Sequence, residues 1–300
     1  MKARRIIIVG GTAAGPSAAA KAKRTNQNAE VILFETTETV SYGICESPYT
    51  ISGVIDDENK LVIYSPDKLQ EEKGITVKTL HWVERIIPTK HEIVVRDLRN
   101  HTMVEYVYDK LILAVGSQPK RLNVNGEDGG NVFFLKSRGN TVNILNYLKS
   151  ETPKQAVIIG GGYIGMELAE ALRSRGLDTT IVHQFSLPME GLERETRERV
   201  LEELQLNGVH FITNAKVEAL QQDKIGKVKH VITNRGSIET DIVLLSLGVS
   251  PNVELAKAVK IRIGQNGAIL TDERQQTNIE DIYAAGDCCE VKNIVTSNPM

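Results

Sequence analysis

Cysteine is scarce in this sequence: three residues in 300, at positions 45, 288 and 289. So small and odd a number argues against a disulfide framework and points to a reducing compartment. Long apolar runs are missing too. None approaches the roughly 20 residues of a membrane span. In the basic N-terminus MKARRIIIVGG only Ile6 to Val9 run before two glycines, too short for the core of a signal peptide. Nor does either charge dominate. With 36 basic and 38 acidic residues there is no broad field to draw in nucleic acid or an anionic membrane surface. A metal set is absent as well: His81, His91 and His101 recur every ten residues, which is not ligand spacing, and read as surface or sheet residues. What remains is a cytosolic protein whose partner is a small molecule.

The composition that is present, 41% hydrophobic and 25% charged, is an ordinary globular balance, and 300 residues exceed one average domain. Two domains are expected. Each announces itself by a glycine-rich turn between a strand and a helix. RRIIIVGGTAAGPSAAAKAKR is a β-branched run, a Gly-rich turn and an alanine-rich helix, followed by a second strand, NAEVILFE, that ends in Glu35. Gly10 and Gly15 stand at the first and third positions of G-x-G-x-x-G, with Thr12 in the middle. Helix-start N–H groups would hold a pyrophosphate there, and Glu35 would accept from ribose hydroxyls. KQAVIIGGGYIGMELAEALRSRGLDTTIVHQ carries the complete motif, Gly160, Gly162 and Gly165. At the end of its second strand stands His183-Gln184, with no carboxylate to repel a 2′-phosphate and no arginine to attract one. Both NADH and NADPH are admitted, with a lean toward NADPH.

The two cradles lie about 150 residues apart, which fits either an internal repeat or two domains holding different cofactors. YDKLILAVGSQP and TDIVLLSLGVSPN are apolar strands running into Gly-x-x-Pro, punctuation that suits a chain crossing between domains. Near the C-terminus, TNIEDIYAAGDCCEV places Asp287 after a small-residue strand, as a ribityl-binding or a capping carboxylate. Cys45, in SYGICESPYTISG, sits at a helix start with no second cysteine near it. Cys288 and Cys289 are adjacent, which strains any mutual disulfide, and read as buried inert thiols.

In their order and spacing, GGTAAG, SYGICESPY, AVGSQP, GGGYIGMELAEAL, SLGVSPN and IYAAGD resemble the FAD-dependent pyridine nucleotide-disulfide oxidoreductases. The resemblance is greatest to the single-cysteine branch of coenzyme A-disulfide reductases and NADH oxidases and peroxidases. It implies an α/β fold of two Rossmann-like domains: a discontinuous FAD domain, residues 1–117 and 246–300, and an NAD(P)H domain, residues 118–245. It implies that Gly10, Gly15, Glu35 and Asp287 bind FAD and that Gly160, Gly162 and Gly165 bind the nicotinamide nucleotide. Thr12, Ala13, Ala14, Ala114, Gly116, Ile164, His183, Gln184, Gly248 and Gly286 complete the cofactor-binding set. Tyr163 matches the tyrosine that covers the nicotinamide face of the flavin, and Glu167 a carboxylate near that face. Family members continue into a dimerising domain, so a homodimer is implied, with that domain outside these 300 residues.

Relatives of the glutathione reductase type carry Cys-x4-Cys where this chain has Cys45 and Thr50, so the resemblance implies no internal dithiol. A lone thiol beside a flavin can still exchange with a disulfide, or pass through a sulfenic acid, if the second sulfur or the oxygen comes from outside. The peroxidases and oxidases carry a histidine three residues after the first motif glycine, where this chain has Ala13. The tail PYTISG looks more like the coenzyme A-disulfide reductases, although these commonly place asparagine before the cysteine, where Ile44 stands, and Glu46 is unusual. Motif alignment sets Ser17, Lys21, Arg24, Ser41 and Lys73 where those reductases contact coenzyme A; the alternative is a solvated basic helix face. The expected substrate is a coenzyme A-like disulfide or persulfide; peroxide or oxygen is the alternative acceptor, and a truncated flavin-binding redox protein without turnover is the second alternative.

Overall fold

The computed structural model describes residues 4–296 and 298–299. The chain forms two compact units. The first comprises residues 1–43, 62–118 and 250–300, and the second residues 44–61 and 119–249. The chain passes between them at Gly43–Ile44, Leu61–Val62, Gln118–Pro119 and Val249–Ser250, the last two inside the two Gly-x-x-Pro turns.

In the first unit a five-stranded parallel sheet runs in the order Ile282–Ala284, Lys110–Leu113, Arg5–Val9, Glu30–Phe34 and Ile75–Lys78. The central strands are short β-branched and leucine runs with buried stretches at Ile7–Val9 and Val31–Phe34, as a parallel sheet covered on both faces requires. One face packs on the Ala14–Thr25 helix through Ile8, Ala19, Val31 and Leu33. The other carries Ile7, Ile32, Phe34 and Leu113 against Val83, Ile93 and Val95 of an antiparallel three-stranded sheet, His81–Ile87, Glu92–Asp97 and Thr102–Val107.

The second unit repeats this plan. Its parallel sheet runs Val209–Ile212, Asp178–Val182, Gln155–Ile159, Ile242–Leu245 and Val132–Phe134, and a second antiparallel sheet is built from Val217–Gln222, Val228–Thr233 and Gly236–Glu239. In each unit the strand that enters the glycine turn lies at the centre, with the chain turning one way and then the other beside it. That is the switch point at which open α/β sheets bind ligands. The units differ in the origin of an edge strand. The edge strand beside the central pair comes last in the first unit, Ile282–Ala284, and first in the second, Val132–Phe134.

One segment departs from the expected division at residue 117. Residues 44–61, with Cys45, group with the second unit. The reason is packing. Ile51 is fully buried in the core formed by Ile144, Leu148, Leu168 and Leu172. The Thr141 hydroxyl donates to Ser47 Oγ at 2.8 Å, Arg138 donates to Asn59 Oδ1 at 2.7 Å, and the Arg175 guanidinium donates to the Ile51 carbonyl. The second unit also extends to Val249, so Gly248 belongs to it rather than to the first.

Candidate functional site

In the first cradle the two motif glycines are fixed by backbone contact. Gly10 has φ 109°, and a Cβ there would lie 2.1 Å from the Ala114 carbonyl oxygen; one on Gly15 would lie 1.8 Å from the Gly10 carbonyl oxygen. The helix that follows starts at Ala14 with Ala13 as its cap, no capping side chain and no acidic residue in its first turn. Its leading N–H groups are therefore left for an anion. Thr12 stands half-buried in the turn. Glu35 is held at the mouth: Oε2 accepts from Gly11 N–H at 2.7 Å, and Oε1 accepts from Thr37 N–H at 2.8 Å and from its hydroxyl at 3.0 Å. Gly286, at φ 83°, packs so closely that a Cβ would meet the Ala14 Cβ at 2.9 Å. This sets the exposed Asp287 beside the cradle, where it accepts from Ser117 Oγ at 2.8 Å. Gly116, at φ 64°, has open space around its α-carbon.

The second cradle has the same construction. Gly160 has φ 114°, and a Cβ would lie 2.1 Å from the Ser246 carbonyl oxygen. Gly162 caps the Tyr163–Ser174 helix without a side-chain bond and with nothing within 4 Å of a Cβ placed there. The first turn contains no acidic residue, and Ile164 and Gly165 complete it. A cleft of about 800 Å³ opens above, lined by Gly160 to Gly162, His183, Gln184, Glu190, Lys216 and Gly248 among others. Tyr163 is 64% exposed at the first helical position. The Glu167 carboxyl, one helical turn on, is raised above the ordinary carboxylate range, chiefly by partial desolvation and secondarily by Glu170. Both cradles thus fit a dinucleotide pyrophosphate: each offers an uncapped helix start and a turn in which side chains are excluded.

A carboxylate, that of Glu190, stands beside His183-Gln184, which those two residues alone do not show. His183 is buried, and Gln184 is exposed beside it. The Gly161 N–H donates to His183 Nδ1 at 3.0 Å, so Nδ1 carries no proton, and Nε2–H donates to Glu190 Oε1 at 2.5 Å. Glu190 is seven residues beyond His183. Met189 carries it into place by donating its N–H to the Gly161 carbonyl at 2.9 Å. Sequence pattern gave no signal for it, because the loop has no motif.

Cys45 is exposed in a 3₁₀ turn, Ile44–Glu46, just ahead of the Ser47–Ser52 helix, whose cap is Glu46. Thr50 is buried, with its hydroxyl donating to the Glu46 carbonyl at 3.3 Å. Cys288 and Cys289 are free and buried in the first unit's core. The Cys289 thiol is pushed up by its hydrogen bond with Cys288 and by burial.

Of the residues aligned with coenzyme A contacts, Ser17, Lys21 and Arg24 are exposed at i, i+4 and i+7, along one face of the Ala14–Thr25 helix. Ser41 accepts through its carbonyl from the Ile63 N–H at 2.7 Å and the Tyr64 N–H at 3.4 Å, and Lys73 Nζ stands 5.3 Å from the Tyr64 ring centre. Tyr64, which the sequence did not single out, links the two. Among the described residues no helix is long and apolar enough to cross a membrane.

The sequence pattern of the pyridine nucleotide-disulphide oxidoreductases matches residues 4–300. The chain belongs to that family. Its cofactors are FAD and NADH or NADPH. The chain is similar to the CoA-dependent NAD(P)H sulfur oxidoreductase of Pyrococcus furiosus, at 34% identity over 297 residues, 99% of this chain and 65% of that protein. It therefore spans just under two thirds of that relative's length. Among solved structures it resembles reduced CoADR-RHD of Bacillus anthracis, with a TM-score of 0.96 and 32% identity, covering 100% of this chain and 54% of that one. It also resembles the water-forming NADH oxidase of Lactobacillus brevis bound to NADH, with a TM-score of 0.92 and 29% identity, covering 99% and 65%.

Proposed function

We propose that this chain carries the electron-transfer core of an NAD(P)H:disulfide oxidoreductase that reduces a low-molecular-weight disulfide or persulfide of the coenzyme A type. The first cradle, with Glu35 and Asp287, is the FAD site. The second, with Tyr163 at the helix start and Glu167 behind it, is the nicotinamide nucleotide site. FAD, when bound, supplies the two-electron relay between reduced nicotinamide and sulfur.

The observation that carries the reading is the lone exposed thiol of Cys45 with Thr50 at the position of a second cysteine. As a thiolate, Cys45 Sγ attacks the external disulfide R–S–S–R, forming Cys45–S–S–R and releasing RS⁻. Two electrons and a proton then cleave the mixed disulfide to RSH and regenerate the thiolate, so NAD(P)H is oxidised as one disulfide becomes two thiols. Ser17, Lys21, Arg24, Ser41 and Lys73 are the groups for the phosphates of a coenzyme A-like substrate; three lie exposed along one helix face. A homodimer is the expected assembly.

The alternative acceptor is peroxide or oxygen through a Cys45 sulfenic acid. The likeness to a water-forming oxidase favours it, and Ala13 in place of histidine counts against it. The test is Cys45→Ser. The variant should retain FAD and accept electrons from NAD(P)H, yet lose reduction of coenzyme A disulfide. Equal rates in parent and variant would overturn the mechanism, and NAD(P)H-dependent peroxide turnover without added disulfide would select the oxidase reading.

A further inference from the structure

We infer that Glu190, held by His183, makes the second cradle selective for nicotinamide nucleotides lacking a 2′-phosphate, so that NADH rather than NADPH is the reductant. This deepens the proposed function and rests on the second cradle being the nicotinamide nucleotide site.

In a βαβ cradle the group at the end of the second strand faces the adenosine ribose, and a carboxylate there accepts from the 2′-hydroxyl. Here that strand is Asp178–Val182, and the next residue, His183, has both ring nitrogens committed: Nδ1 to the Gly161 N–H and Nε2 to Glu190. The imidazole thus fills the place beneath the turn and passes the carboxylate role on. Glu190 Oε1 is fixed 2.5 Å from Nε2, while the side chain remains 44% exposed, lining the cleft with Gln184. Its second oxygen is left for a ribose hydroxyl, and its charge opposes a phosphate.

The surrounding charges do not reverse this. Lys216 and Glu218, one charge of each sign, also line the cleft. Arg197, the cation that could neutralise Glu190, stands 3.9 Å from its Oε1, but its guanidinium is engaged by the Pro188 and Leu187 carbonyls at 2.7 and 2.8 Å. A dianionic 2′-phosphate would therefore enter beside a fixed carboxylate without a free guanidinium to pair with.

The test is calorimetric titration of the FAD-loaded chain with two redox-inert probes, ADP-ribose and 2′-phospho-ADP-ribose. The parent should bind ADP-ribose at least about tenfold more tightly, and that ratio should shrink as salt is raised, because it is electrostatic. Glu190→Gln should bring the ratio to within about threefold, and Glu190→Arg should invert it. Glu190→Asp, which keeps the charge, should retain the preference and serves as the control for folding. A parent that binds both probes equally, or a ratio that Glu190→Gln leaves unchanged, overturns the inference while leaving the nucleotide site in place. A parent that binds neither probe overturns the assignment of the cradle, and the inference with it.

Discussion

Ser41 and Met189 hold the same place in the two units. Each adopts left-handed backbone, φ 48° and 57°, and each donates its N–H to the carbonyl of the glycine after the first motif glycine, Gly11 at 2.8 Å and Gly161 at 2.9 Å. The N–H groups of those two glycines are taken by Glu35 Oε2 and by His183 Nδ1. Both cradles are thus closed by one device: a loop after the second strand pinned to the turn by its backbone, with a side chain from the strand end beneath it. A residue in the left-handed region costs roughly 1 kcal/mol or more for a non-glycine side chain. Its appearance at equivalent positions marks this closure as part of the repeated design.

Because the cradles are separate, damage to one should leave the other intact. Gly160→Ala brings a methyl group to 2.1 Å from the Ser246 carbonyl at a φ of 114°. The variant should purify with FAD bound, yet its reduction by NADH should slow by about tenfold or more, the worth of one strong hydrogen bond to a charged phosphate. Stopped-flow absorbance of the flavin measures this. Unchanged reduction would show that the second cradle is not the reductant's site.

The three thiols should fall into two classes. Cys45 is exposed, whereas Cys288 and Cys289 are 0% and 7% exposed. After mild reduction, a maleimide reagent should label one thiol per chain quickly under native conditions and two more only on unfolding. Mass spectrometry before reduction should find Cys45 blocked by a small thiol or by oxygen, since a lone cysteine cannot store two electrons as an internal disulfide. A free, unoxidised Cys45 in protein that reoxidises after turnover would contradict its redox role.

Tyr108 should contribute to alkaline instability. It is fully buried, its hydroxyl has no hydrogen-bond partner among the described residues, and burial, with the charge of Asp281, pushes its pKa up to about 12 from an ordinary value of about 10. An acid held more tightly in the folded state binds more protons there than in the unfolded chain over that interval, so stability falls as pH rises from about 10 to about 12. Tyr108→Phe should remove that part of the slope. Near pH 7 it should leave the melting temperature unchanged or raise it, because an unsatisfied buried hydroxyl is lost without loss of shape. Thermal melts across this range decide it, and a clear destabilisation near pH 7 would reveal a partner for the hydroxyl.

Both cradles were legible in the sequence because their physics is local. A β-branched run, a turn that admits only glycine where backbone approaches backbone, and an uncapped helix are all specified within about 20 residues, as at Gly10 to Gly15 and Gly160 to Gly165. The lone Cys45 was equally plain, being a matter of residue identity, while Thr50 as the place of a missing dithiol partner was what the family resemblance implied. Tertiary structure alone decided what depends on contacts between distant segments. It joined the Cys45 turn to the second unit through Ile51 in that unit's core, against the division read from the motifs. It seated Gly286 on Ala14 and so brought Asp287 to the first cradle across 273 positions of sequence, 287 less 14. It also placed Glu190 against His183, supplying the charge that the strand end lacks. A loop without a repeating pattern carries no periodicity to read, and its side chains take their positions from the cradle against which the loop is pinned.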